Sequence, residues 1–421
     1  MKLFSKIVLL SSLVLSSEAT TLKEILHATL QNNENLKALE IQNSSLKKSY
    51  ESVKNIYNPN INLGVNYLKL DADVSDKQIG STVDAFAKVT VSLYDGGKSS
   101  ALKKQKEFEF NSAKVASDTT KKSTLLQVIT LFFQTKTVEE NINVFYEKSV
   151  ALKAQYERVK TKYDIKMTTI DEVLKLKSEY ESTQYLLEEL KYQKEELLQN
   201  LSLITNISIN SLEGSSLPEY KDIDYIESPT IKSMKLSLQA QKEAVRVVSS
   251  INYPQLKIED SFNIYDYSDY NDKILNDLPE QQNQLMVTLS YNLFNTSSSH
   301  KVEALRLSQL ASDEKLSYIK RQEKMKFELS IKKLTTMEHK IESLKSAVEM
   351  GDTVYDMVKI KYQNGIVDNI TYLDALSKKA YNNALYQQAL NDYEIAKANY
   401  YFTSGVDYKK VISSLWKESK I

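Results

Sequence analysis

The sequence predicts a mostly α-helical protein with a smaller β-barrel part, built as a tandem structural repeat. Three observations predict it. Glycine and proline number only 8 and 5 in 421 residues, against about 29 and 21 at average usage. They are the poorest helix residues, so their scarcity favours long uninterrupted helices over a loop-rich α/β enzyme. Residues 98–213 and 280–350 contain neither. Four short segments break the helical pattern with alternation, and they come in two pairs nearly 200 residues apart.

The N-terminus reads as a secretory signal peptide, residues 1–19. Lys2 and Lys6 form the basic region, Ile7 to Leu15 the short apolar region, and Ser17-Glu18-Ala19 the cleavage site. The apolar run is far short of the roughly 18 residues that suggest a membrane helix. A mature chain starting near Thr20 is expected. Repeat 1 then covers 20–205, a linker 206–228, repeat 2 229–406 and a C-terminal tail 407–421.

Each repeat reads helix, strand, strand, long helix, turn, long helix. In repeat 1 the strands are about 60–70 and 86–94. Ile61, Leu63, Val65 and Tyr67 alternate with polar residues, as do Ala87, Val89, Val91 and Leu93. In repeat 2 they are about 256–267 and 285–294, carried by Leu256, Ile258, Phe262 and Ile264, then Leu285, Val287, Leu289, Tyr291 and Leu293. Period two marks strands with one apolar and one polar face. A small soluble sheet and a membrane barrel both show it.

The helices carry coiled-coil spacing. Phe145, Ser149, Leu152, Tyr156, Val159 and Tyr163 step by four and three, as do Ile341, Leu344, Val348, Gly351, Tyr355, Val358 and Tyr362. A helix from Lys98 to Tyr163 would be roughly 100 Å long, wider than any single globular core. Breaks at about 164–169 and 363–369 fold each repeat into a helical hairpin. The duplication shows in recurring landmarks. Leu93-Tyr94-Asp95 matches Leu293-Phe294-Asn295, and Lys162-Tyr163 matches Lys361-Tyr362.

If the strands span lipid, no sheet edge can stay open, because unpaired backbone groups there cost several kcal/mol each. Four strands cannot close, since the smallest barrels have eight. The barrel must then be shared between chains. Two chains give eight strands and an interior just filled by side chains; three give twelve and a passage. Aromatic residues at or near the strand ends are candidates for a membrane girdle: Phe86, Tyr94, Phe262, Tyr265, Tyr291 and Phe294, with Tyr267 and Tyr270 beside them. Asp260 falls in the apolar register of the third strand.

Other classes find little support. With 55 Lys+Arg against 55 Asp+Glu, no broad nucleic-acid surface is expected. The absence of cysteine excludes disulfides, thiolate zinc sites, cysteine nucleophiles and a lipidated cysteine. His27, His300 and His339 are isolated, with no HExxH and no phosphate loop. No catalytic residue, cofactor or metal is expected.

The duplicated order, with Asn58-Pro59 before the first strand, Ser92-Leu93-Tyr94-Asp95-Gly96-Gly97-Lys98 before the long helix, and Lys361-Tyr362, Gly365 and Tyr372-Leu373-Asp374-Ala375 at the second hairpin, resembles the TolC-like outer-membrane efflux proteins. The likeness runs from about Leu22 to Val406. It implies a homotrimer whose four strands per chain complete a 12-stranded barrel among outer-membrane lipid, with an α-helical barrel extending through the periplasm. It implies passive export of substrates handed over by an inner-membrane pump and a periplasmic adaptor. The family's aspartate constriction points to Asp374; its companion position falls on Thr371, and Asp171 and Glu172 hold the matching part of repeat 1. Adaptor contact points to the tips Lys166-Met167-Thr168 and Gly365-Ile366-Val367. The exit duct of a type I protein secretion system would share this architecture. A coiled-coil envelope spacer or adhesin is the alternative from another class, and a periplasmic adaptor a third.

Overall fold

The computed structural model describes residues 19–55, 58–70, 80–219, 223–268 and 278–406. Most of the expected signal peptide, Tyr270 and the C-terminal tail lie outside the described residues. The elements run α1 (Leu22–Asn32), α2 (Glu34–Ser52), β1 (Asn60–Lys69), β2 (Ser81–Asp95), α3 (Lys98–Asp164), α4 (Ile170–Thr205), α5 (Pro229–Ser249), β3 (Gln255–Ser268), β4 (Gln281–Ser290), α6 (Thr296–Gln363) and α7 (Asn369–Thr403). A 3₁₀ turn, Ser250–Asn252, follows α5. Among the described residues no helix is long and apolar enough to cross a membrane.

The chain divides into two compact units. One draws on Met1–Leu39, Ser117–Pro229 and Arg321–Ile421, the other on Glu40–Ala116 and Thr230–Lys320.

The second unit carries one antiparallel sheet in the order β1-β2-β3-β4. Each repeat contributes a hairpin, and β2 and β3 join them. Directly opposed residues share a face. One row therefore reads Val65, Ala85, Ile264 and Gln281, another Leu63, Ala87, Phe262 and Asn283, and a third Ile61, Val89, Asp260 and Leu285. This apolar face is bare: Leu63 is 79% and Leu285 70% exposed. The opposite face carries Asn62, Asn66, Asp84, Lys88, Thr90, Glu259, Ser261 and Gln284.

Two strand ends depart from the expectation. β2 begins at Ser81, not 86, because Val83 and Ala85 continue the alternation opposite Tyr67 and Val65. β4 runs Gln281–Ser290, not 285–294. Its polar start is paired with β3 from Ile264 onward, and Ser290 faces Gln255, the first residue of β3. Backbone partners set these ends, and side-chain hydrophobicity does not report them. A bulge lies between Ser92 and Tyr94, so Tyr94 opposes Leu256 and joins the apolar face.

The paired landmarks Asp95 and Asn295 have one task. Asp95 accepts the Ser99 N–H at 2.8 Å and Asn295 Oδ1 accepts the Ser298 N–H at 3.0 Å. Each caps the start of a long helix, where backbone donors lack intrahelical partners.

The first unit has its core where α1, α3, α4 and the inter-repeat segment meet. Ile25, Leu26, Val128, Phe132 and Leu201 are fully buried there. The inter-repeat segment is clasped by α7. Glu394 accepts the Leu217 N–H at 2.7 Å, and the buried Lys397 ammonium donates to the Leu217 carbonyl at 3.0 Å and pairs with Glu394 at 2.8 Å.

Candidate functional site

The two hairpin tips, both in the first unit, are built alike. In repeat 1 the Lys166 N–H bonds to the Tyr163 carbonyl and the Met167 N–H to the Lys162 carbonyl, each at 2.8 Å. In repeat 2 the Gly365 N–H bonds to Tyr362 at 3.1 Å and the Ile366 N–H to Lys361 at 2.9 Å. This paired bonding closes a helix around one left-handed residue. That residue is Gly365 at φ 73° and Lys166 at φ 60°. Glycine holds the conformation freely, whereas a lysine Cβ crowds the following carbonyl. Lys166→Gly should therefore stabilise its tip by about 1 kcal/mol. Gly365→Ala should destabilise its own by a similar amount, through the backbone alone, since no atom lies within 4 Å of the added Cβ. Hydrogen exchange of the tip amides measures both; equal protection in all variants would refute the strain.

Each second helix starts on a short acid–hydroxyl bond set. Asp368 caps α7, accepting the Thr371 N–H at 2.9 Å and hydroxyl at 2.6 Å. Those bonds hold its carboxyl below the usual carboxylate range. Asp171 is lowered likewise, chiefly by the Thr169 hydroxyl, while the Thr168 hydroxyl donates to Glu172 at 2.8 Å. Lys175 lies close enough to favour the charged form of both Asp171 and Asp368.

Behind the tips, the coiled-coil stripes meet in one cluster. Leu152, Val159, Val173, Leu176, Tyr355, Tyr372, Ala375 and Leu376 are buried together. Tyr372, only 1% exposed, stacks on Tyr362 with ring centroids 4.9 Å apart and lies 6.1 Å from Tyr355. Burial pushes the Tyr372 and Tyr362 phenols up.

Within one chain each aperture candidate has its own local partner. Asp374 is on the exposed side of α7, its carboxylate 3.7 Å from the Lys378 ammonium. Thr371 is engaged by its cap, and Asp171 and Glu172 serve the start of α4. The adaptor candidates split by chemistry. Met167 and Ile366 are 71% and 69% exposed, and Ile165, Ile170 and Ile370 extend the bare apolar tips. Lys166 and Gly365 set the turns; Thr168 and Val367 are half-buried.

The girdle candidates divide by face. Phe262 and Tyr94 stand on the apolar face. Phe86 and Tyr265 do not: Phe86 opposes Gly64 and Asn263, and Tyr265 opposes Asp84, so both belong to the polar face. Counting aromatics near strand ends overlooked the parity of the pleat. Phe86 and Phe262 also lie well inside their strands, not at the ends. The Phe86 ring covers Gly64, where a Cβ would meet its Cζ at 2.5 Å. Tyr291 and Phe294 follow β4 and are exposed.

Sequence reasoning passed over one polar-face cluster. Glu259, 8% exposed, pairs with Lys88 and Lys257 at 2.9 Å each and accepts from the Thr90 hydroxyl at 3.3 Å. Its signal was Lys-x-Glu at strand spacing with Lys88 in the polar register of β2. Among the described residues, no group of three or more His, Asp or Glu side chains could hold a metal ion.

Comparison with known proteins agrees with this geometry. The outer membrane efflux protein family model matches residues 25–206. No curated protein matches the chain significantly. Among solved structures, the chain is similar to the Campylobacter jejuni CmeC outer membrane channel, at 14% identity over 95% of this chain and 89% of that one, TM-score 0.81. It is similar to the outer membrane protein VceC of Vibrio cholerae, at 11% identity over 91% and 96%, TM-score 0.80. It is also similar to the open state of the Neisseria gonorrhoeae MtrE outer membrane channel, at 12% identity over 92% and 89%, TM-score 0.75. The chain thus resembles the outer membrane efflux protein family over residues 25–206, and its described residues have the fold of these outer-membrane channels.

Proposed function

We propose that the protein is the passive exit duct of a tripartite efflux system, working as a homotrimer that receives substrates from an inner-membrane pump through a periplasmic adaptor. The observation that carries this reading is the sheet. It has one bare apolar face, one polar face and two unpaired edges, β1 and β4. In lipid those edges require partners, and copies of the same chain supply them. Three copies give twelve strands, enough for a passage. The apolar face then meets lipid, and the polar face, with Lys88, Glu259 and Asp84, lines the lumen.

The exposed apolar tips fit contact with an adaptor. Asp374 of three chains, brought round one axis, would concentrate negative charge at the constriction and draw cations there.

The test is single-channel conductance of the purified protein in planar bilayers, wild type beside Asp374→Ala. A three-copy mass and a small conductance that rises on substitution are expected. A conducting trimer indifferent to the substitution would remove Asp374 from the aperture. A folded monomer that never conducts would overturn the duct itself.

A further inference from the structure

A cavity of about 630 Å³ lies at the foot of the sheet, inside the second unit. We propose that it binds the phosphate of an anionic membrane lipid. The proposal rests on the reading above, that the apolar face of the sheet lies in lipid.

The cavity is cationic. Lys98, the first residue of α3, and Lys301, in the second turn of α6, both line it, and among the described residues no acidic side chain does. Neither lysine has an ion-pair partner among the described residues. The two long helices both start beside it, each with the partial positive charge of a helix N-terminus.

A second feature points to a ligand independently. Ser298 lines the cavity and is only 5% exposed. Its N–H is taken by the Asn295 cap, but its hydroxyl has no hydrogen-bond partner. A buried hydroxyl without a partner is destabilising, and an accepting phosphate oxygen would relieve it.

Position and lining distinguish a lipid phosphate from a free one. The cavity is reached at Gln255 and Ser290, the pair next to Leu256 and Leu289 on the apolar face. The ammonium groups thus stand where the apolar surface gives out, the level of a lipid headgroup. Tyr253 and Tyr291, about half exposed, also line it; such amphipathic rings suit an interface. Part of the wall is aliphatic, from Val247, Val248 and Ile251. A headgroup with its glycerol and first methylenes uses that wall, whereas an inorganic ion does not.

The test uses the full-length protein in detergent, titrated with dihexanoyl phosphatidylglycerol, dihexanoyl phosphatidylcholine and inorganic phosphate, and followed by native mass spectrometry and calorimetry. Wild type should bind the glycerol lipid at least roughly tenfold more tightly than the choline lipid or free phosphate, and Lys98→Gln/Lys301→Gln should lose that margin. Ser298→Ala should weaken it severalfold with both lysines present. Equal binding of free phosphate and the glycerol lipid would overturn the lipid assignment. Unchanged lipid selectivity in the double variant would overturn the site. Wild-type conductance, recorded on the same preparation, reports the duct separately, so loss of one reading is not mistaken for loss of the other.

Discussion

Val65→Arg is expected to prevent recovery of assembled protein from the outer membrane, whereas Asn66→Arg, one residue along the same strand, leaves assembly intact. The two positions differ only in face. Val65 is 70% exposed and stands in the row Val65, Ala85, Ile264. Asn66 opposes Asp84 and already donates to its carboxylate at 3.2 Å. An arginine at 66 keeps a carboxylate partner beside water in the lumen. An arginine at 65 must enter hydrocarbon near the middle of the strand, at about 2–4 kcal/mol per copy. In a trimer the cost is paid three times, roughly 6–12 kcal/mol, comparable to the whole stability of a typical domain. The measurement is the amount of trimer in the outer-membrane fraction, with conductance of what is recovered. Equal recovery of the two variants would mean that the apolar face does not meet lipid.

That contrast also shows what was legible in the sequence. The strands Ile61-to-Tyr67 and Leu256-to-Ile264 announce themselves, because each carries one apolar and one polar face and the pleat converts that into alternation. The long helices are legible from missing glycine and proline, and their partners from the stripe through Tyr355, Val358 and Tyr362. That Phe86 and Tyr265 share the polar face is not legible from aromatic content, and only the register against Gly64 and Asp84 supplies it. The start of β4 at Gln281 was illegible because a polar strand end is held by backbone bonds to β3. Lys166 stands where the second tip has Gly365. That it still builds the same left-handed turn depends on bonds from Lys166 to Tyr163 and from Met167 to Lys162, which no residue pattern encodes. The aperture is the least legible part. Asp374 lies exposed on a single chain, and the proposed constriction of three copies would be a property of none of them alone.

Tyr372→Ala should loosen the tips while leaving the rest of the first unit folded. Tyr372 is the most deeply buried tyrosine of its cluster and touches two further tyrosine rings. Truncating a buried aromatic of this size costs about 3–5 kcal/mol, because the hole refills only in part. The loss falls locally. The main core around Phe132, Phe133 and Leu201 belongs to a separate cluster that shares no buried residue with the tips. Amide exchange should therefore accelerate in 152–176 and 355–376 and stay slow around Phe132. Tyr372→Phe should retain most of the protection, since the stacked ring remains and only the hydroxyl contacts are lost. If the tips close the duct, Tyr372→Ala also raises conductance at rest, and it does so without altering the charge at Asp374. Ion selectivity should then stay near that of wild type, whereas Asp374→Ala should shift it. Faster exchange throughout the chain would show that the tip cluster supports the whole fold. Unchanged exchange at the tips would show that the Tyr355, Tyr362 and Tyr372 rings contribute little to holding the two hairpins together.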